Sequence, residues 1–557
     1  MTWWTRKRWL ITVALLFFSS GLLAFLFWPR DDELARWKAQ MRARGENFTL
    51  AEVAPRHSPA LKDWGKRFKA AVDGVAVNPV PPSGLDLMAG TAPGFARPVW
   101  QKKFPVLPNQ TWSALAAQFD ASSNALEEVR ELLRNIPAGT ASDYSNVTDP
   151  GGLNLIALRK GAQSLAALTA SDLHRGAREA ALTNLCLLIA LTRPLEEEGS
   201  LVFQMIRVAI AGIATSATWE TLQAPGWTDA QLASLDAAWV RVALLPRMEH
   251  AFVVERAWAV ALCAHARTNA GGPNAILGRP AGGAKQFYED KIYRPLWQSQ
   301  WSKTDELLFL QAIQGVGETI RASLTNRSWQ RMRLQLDPGN MALITNMNAF
   351  DRFRFPLAQS AIPNWHKALA SVLKNESRVQ MTRAAIAIER HRLRHGRAPD
   401  SLARLVPEFL REPPLDYMIG QALRYETNPD GSFVLYSVGE DGRDDAGLGD
   451  DSVWPRPGWP KPVAPDPSAP KMQHIAISNT PPRDVLNLLA REAGLPPLYF
   501  EPRATNVLAG PFTLEMRDAS YAETLASALQ KLGLRLVPGP KYGTCSVTLN
   551  PKPGEEE

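Results

Sequence analysis

The chain has 557 residues, room for about three or four domains. Hydrophobic residues make up 45% of it, an ordinary share for a protein with a buried core. The formal net charge is only +7 and no Lys/Arg block dominates, which excludes a nucleic-acid footprint. Cys186, Cys263 and Cys545 lie far apart, which excludes a disulfide framework or zinc spacing. Cys186 and Cys263 sit in apolar runs and read as small buried hydrophobes.

The first element is a transmembrane helix over 9–28. The stretch from Trp9 to Trp28 carries no charge. As a helix it spans about 30 Å, the thickness of a bilayer core. Its two terminal tryptophans stand where interfacial aromatics belong, and Arg6, Lys7 and Arg8 precede it. No Ala-x-Ala cleavage site follows, which disfavours a signal peptide. The tail 1–8 then lies in the cytoplasm. Arg30, Arg36, Lys38, Arg42 and Arg44 would by count hold the body inside as well, but long domains translocate regardless of such charge.

From 31 to 374 the pattern is that of a helical-hairpin body. Residues 152–169, 173–193, 199–223, 248–268 and 303–323 read as helices. Thr228 and Gln231 form a capping box. Short connections such as that at Pro194 favour antiparallel neighbours. No fixed repeat is present. The body contains no GxxxxGK[ST], HExxH or GxSxG motif. The run Glu196-Glu197-Glu198 reads as a solvated helix start, because consecutive carboxylates on a helix point apart.

A second character begins near 376. The segment 378–389 is an amphipathic helix that ends in Arg392-Leu393-Arg394-His395-Gly396. His391 and His395 stand four residues apart, without an evident third metal ligand. Ala422–Glu426 and Ser432–Val438 read as strands joined by the hairpin signal Asn428-Pro429-Asp430-Gly431. A loop rich in Asp and Gly follows. Its Asp441, Asp444, Asp445, Asp450 and Asp451 could supply the six to eight oxygens that calcium takes, or form a solvated acidic turn. Gly396-Arg397-Ala398-Pro399, the hairpin and the motif Leu435-Tyr436-Ser437-Val438-Gly439-Glu440-Asp441-Gly442 together resemble the C-terminal element of the major pseudopilin of type II secretion. The resemblance covers 376–454 and implies calcium in that loop.

Between Pro455 and Pro470 nearly every second residue is proline. Such a linker is extended and reaches roughly 50 Å at about 3.1 Å per residue. Beyond it, 472–550 reads as βαββαββ. Its first helix carries Leu488-Leu489-Ala490, and its second opens on the capping box Ser520-Tyr521-Ala522-Glu523. Val485, Leu488 and Leu489 mark the apolar face of the first helix; Leu525, Ala528 and Leu529 mark that of the second. This pattern resembles the short N-terminal domain of secretins and TonB-dependent receptors, which implies protein contacts in the cell envelope and no catalysis.

The expected fold class is therefore mainly α with α+β C-terminal modules. The expected protein is anchored in the cytoplasmic (inner) membrane, with a periplasmic body that contacts envelope proteins of secretion or transport machinery. Two alternatives remain: an enzyme with its site inside the helical body, and a structural scaffold of the envelope.

Overall fold

The computed structural model describes residues 32–75, 112–222, 224, 226–268, 272–277, 282–336, 346–360, 365–427, 433–444, 451–454, 472–492, 498–500, 507–508, 510–538 and 545–549. The span 9–28 and the proline-rich linker 455–471 lie outside these residues. Within them the protein is mainly helical, with small sheets toward the C-terminus.

The body is built from α1 (Glu33–Ala43), α2 (Pro59–Gly74), α3 (Trp112–Ala121), α4 (Ser123–Arg134), α5 (Leu155–His174), α6 (Arg178–Ala190), α7 (Leu201–Leu222), α8 (Asp229–Trp239), α9 (Leu245–Thr268), α10 (Ser302–Asn326) and α11 (Trp365–His395). Several starts follow from a side chain that takes up an otherwise orphaned amide. Asp32 accepts the Ala35 N–H at 3.1 Å, and Ser58 caps α2 with Pro59 at its first position. Thr228 and Gln231 form the expected box. Gly176, at φ +77°, turns the chain between α5 and α6, which pack together; α5 also packs on α7, α7 on α11, and α9 along α10.

A large apolar core runs through most of this, from Leu34 to Val438, while Leu115 and Phe119 of α3 pack in a smaller cluster with Leu126 and Leu168. α7 is long and apolar enough to cross a membrane, by length and composition. Half of its apolar window is buried against its neighbours in the body.

α11 passes through the expected boundary at 375 as one continuous 31-residue helix. Asn375, Glu376 and Ser377 are buried at that point. The segment after it is tied in by Asp416, which is fully buried. Asp416 accepts the Ser437 hydroxyl at 2.6 Å, the Val438 N–H at 2.8 Å, the Met418 N–H at 2.9 Å and the Ser377 hydroxyl at 3.2 Å. The strands here are β1 (Leu415–Asp416), β2 (Gln421–Ala422), β3 (Arg424–Thr427), β4 (Phe433–Ser437) and β5 (Ser452–Trp454). β1 pairs with β2, and β3-β4-β5 form an antiparallel sheet with Tyr425 opposite Leu435. Leu435 and Trp454 pack on Met381, Ala385 and Ile388 of α11 and on Trp219 of α7.

The C-terminal unit contains β6 (Met472–Thr480), α12 (Pro482–Glu492), β7 (Leu498–Phe500), β8 (Phe512–Ala519), α13 (Tyr521–Lys531), β9 (Leu534–Pro538) and β10 (Cys545–Leu549). β6 pairs antiparallel with β8, while β10 lies between β7, parallel, and β9, antiparallel. Its core draws only on residues of this unit, among them Leu486, Leu489, Phe512, Leu525 and Val547. On α12 the buried face is Val485, Leu486, Leu489 and Ala490, whereas Leu488 is 44% exposed. The expected inward place of Leu488 belongs to Leu486, two residues earlier on the helix.

Candidate functional site

The residues that follow the apolar N-terminal stretch are fastened to α9 and α10 by a buried ionic cluster. Glu46 lies 2.8 Å from the Arg256 guanidinium and accepts from Gln314 at 2.9 Å and from Arg321. Arg321 also pairs with Glu249 at 2.6 Å. Burial pushes the Glu46 carboxyl up, but the bonds from Arg321, Gln314 and Arg256 outweigh it and hold it at about 2. Nearer the start, Asp32 pairs with Lys303 at 2.8 Å, and Glu306, fully buried, pairs with both Lys38 and Arg267.

Lys303 opens α10 on a helical run that begins at Gly283 and contains two π-helical turns, Glu289–Tyr293 and Trp297–Trp301. Pro295 stands between them and has no N–H for a carbonyl one turn back. Hydroxyls take up freed carbonyls: Ser299 donates to Pro295 at 2.8 Å, and Ser302 to Gln298 at 3.0 Å. Such turns widen the helix and re-aim its side chains.

Inward from this run, Trp297 is fully buried and donates its indole N–H to Asp305 at 3.0 Å. Asp305 also accepts the Leu357 and Ala358 amides, at 3.2 and 2.8 Å. Burial nevertheless pushes its carboxyl up to about 7. Outward, Phe287 and Phe350 are 65% and 59% exposed, and Tyr288, Ile292 and Phe353 are exposed with them. Phe350 and Phe353 belong to one aromatic cluster with Trp301 and Tyr293. Trp301 meets Phe350 and Phe353 edge-on at 6.4 and 5.8 Å, and Tyr293 lies 4.9 Å from Phe353. The Arg354 guanidinium covers Phe350 at 4.6 Å and pairs with Asp351. Lys291 and Arg352, which flank these residues in sequence, are exposed and have no carboxylate partner among the described residues. Large apolar surface rimmed by cations marks an interaction site. The density of aromatics from Phe287 to Trp301 was the available signal for it in the sequence.

Three of the five aspartates of the acidic loop are described. Asp444 accepts from Arg424 at 2.7 Å and from the Tyr436 hydroxyl at 3.0 Å. Asp441 accepts the Arg443 amide at 2.8 Å, and Asp451 the Gly439 amide at 2.9 Å. Asp445 and Asp450 lie outside the described residues. Among the described residues, no three His, Cys, Asp or Glu side chains converge to hold a metal. Both oxygens of Asp444 are engaged by Arg424 and the Tyr436 phenol, and one oxygen each of Asp441 and Asp451 accepts a backbone amide.

The His391 and His395 rings lie 4.4 Å apart, tilted to each other, beside Phe409, and His391 Nδ1 lies 2.9 Å from the Arg397 carbonyl. The Glu196-Glu197-Glu198 run is not a solvated helix start throughout. Glu198 is fully buried and accepts the Thr140 and Ser142 hydroxyls at 2.5 and 2.7 Å and the Ala141 amide at 2.9 Å. Three donors offset the cost of burying that carboxylate.

Comparison with protein-family models, with curated proteins and with solved structures finds no match to this chain.

Proposed function

We propose that this chain is a single-pass membrane protein whose body rests an aromatic surface on the bilayer and whose C-terminal unit makes protein contacts. The observation that carries the reading is the pairing of Asp32 with Lys303. Trp28, the last residue of the uncharged stretch, is four residues before Asp32, a reach of at most about 14 Å. A bilayer that holds Trp28 at its interface therefore lies beside the start of α10. Phe350 and Phe353 touch Trp301, two residues before Lys303, so the exposed rings stand at that level. Aromatic rings suit the headgroup region, and Lys291 and Arg352 complement anionic lipid.

The C-terminal unit supports the second half of the reading. Among the described residues its core is closed on itself, and the sequence before it is rich in proline. We place its partners among envelope proteins and the body in the periplasm, as the two resemblances imply.

The test is fractionation of cells that express the full chain. Retention in the membrane pellet through an alkaline carbonate wash is expected, with a reporter fused after Glu557 active only when exported. Release by the wash would overturn the anchored reading. Activity of a cytoplasm-only reporter would overturn the periplasmic placement.

A further inference from the structure

A separate cavity of about 320 Å³ opens where the end of α6, the chain after it, α7 and α8 meet. Arg207, which is 1% exposed, is among the residues that line it. Arg207 donates Nε to the Thr192 carbonyl at 3.2 Å and Nη1 to the Ala243 carbonyl at 2.8 Å. Both acceptors are neutral, and no carboxylate contacts it among the described residues. Its remaining nitrogen, Nη2, makes no hydrogen bond to the described protein.

A buried cation without a bound counter-charge is costly. The nearby acids are engaged elsewhere. Glu196, on the cavity wall, pairs with Arg247 at 2.7 Å. Glu376 is buried and accepts the Leu244 and Leu245 amides at 2.6 and 2.7 Å, and burial raises its carboxyl, which weakens it as a counter-ion. At the mouth stand two further exposed arginines, Arg193 and Arg241, neither with an ion pair among the described residues. Three arginines thus line one cavity, and the one carboxylate among its described lining residues, Glu196, is already paired. Cys186 lies on the same wall; burial pushes its thiol up to about 11, so it stays neutral and does not oppose an anion.

The remaining wall is apolar, with Ile189, Ala237, Ala238 and Val242. Guanidiniums match the planar, bidentate oxygens of carboxylates and phosphates. The volume sits at the small end of ligand pockets. We propose that this cavity binds a small organic oxyanion, with its carboxylate or phosphate head between Arg207, Arg193 and Arg241 and a short apolar body against Ile189 and Val242.

The test is calorimetric titration of the purified full chain with butyl phosphate, butyrate and inorganic phosphate, against sodium chloride at matched ionic strength. Saturable binding of butyl phosphate or butyrate at about 1 mM or tighter is expected, and the stronger of the two names the head group. Arg193→Ala and Arg241→Ala should each weaken it by about three- to tenfold, the loss of one charge-assisted contact at a solvent-facing position. These exposed residues carry no packing load, so the melting temperature of each variant should match the parent. Arg207→Lys, which keeps the charge but loses the fork, should weaken binding further than either. Absence of saturable binding up to about 20 mM would overturn the proposal. So would binding that both mouth variants retain, or inorganic phosphate bound as tightly as its butyl ester, which would leave the apolar wall without a role.

Discussion

Asp32 and Lys303 are 271 residues apart in sequence and 2.8 Å apart in space. Their contact brings the chain that follows the uncharged stretch to the first turn of α10. The pair marks a position more than it contributes stability, because both side chains are about half exposed. Exposed pairs are worth about 0–1 kcal/mol. Lys303→Ala should therefore leave the melting temperature of the body within a degree or two of the parent, as followed by tryptophan fluorescence.

Glu46 behaves oppositely. Arg256, 3% exposed, depends on it for a counter-charge. Removing one partner of a buried pair strands the other, at about 3–5 kcal/mol. Glu46→Gln should lower stability on that scale, with Glu46→Ala at least as damaging. A loss below about 1 kcal/mol by denaturant titration would show that Arg321 and Arg256 find other acceptors.

Asp305 predicts a pH dependence. Its folded carboxyl sits at about 7, above the unfolded value of 3.8, because burial outweighs three hydrogen bonds. The folded state then holds a proton that the unfolded state has released, so stability falls as pH rises from about 4 to about 7 and levels beyond that. The contribution is on the order of a few kcal/mol. Asp305→Asn should flatten this part of the profile, so that the variant gains stability relative to the parent as pH rises from about 4 to about 7. A difference independent of pH between 4 and 8 would contradict the assignment.

Arg424 and a cation would compete for Asp444. With Arg424 at 2.7 Å and the Tyr436 hydroxyl at 3.0 Å, the acid is already satisfied. Millimolar calcium should leave the melting of the full chain where magnesium leaves it. A calcium-specific rise that Asp444→Asn abolishes would restore the site expected from all five aspartates.

Much of the fold could be read in advance because its signals are local. The helices near 155, 178, 201, 245 and 302 announce themselves by apolar spacing, and the two capping boxes at Thr228 and Ser520 are both formed. Assembly was harder to read. Nothing within the sequence around Asn375 says that α11 continues through it, because Asp416, Ser437 and Met418, the groups that bind the following segment to the body, come from far along the chain. Glu198 looked like a surface acid for the same reason: its three donors lie near residue 140. The aromatic surface depends on two π turns and on Phe350 and Phe353 folding back over Trp301, a juxtaposition that spacing alone does not encode.

The central claim is that the aromatic surface meets the bilayer, and depth-dependent quenching tests it most directly. A fluorophore is attached at Phe350→Cys, or at the exposed Val240→Cys for reference, in full chains with Cys186 and Cys545 replaced by serine. Each is reconstituted into anionic vesicles that contain brominated lipid. The account predicts strong quenching at position 350 and little at position 240. A chain that stays in the vesicles through a carbonate wash yet shows no quenching at 350, or equal quenching at both positions, would contradict it.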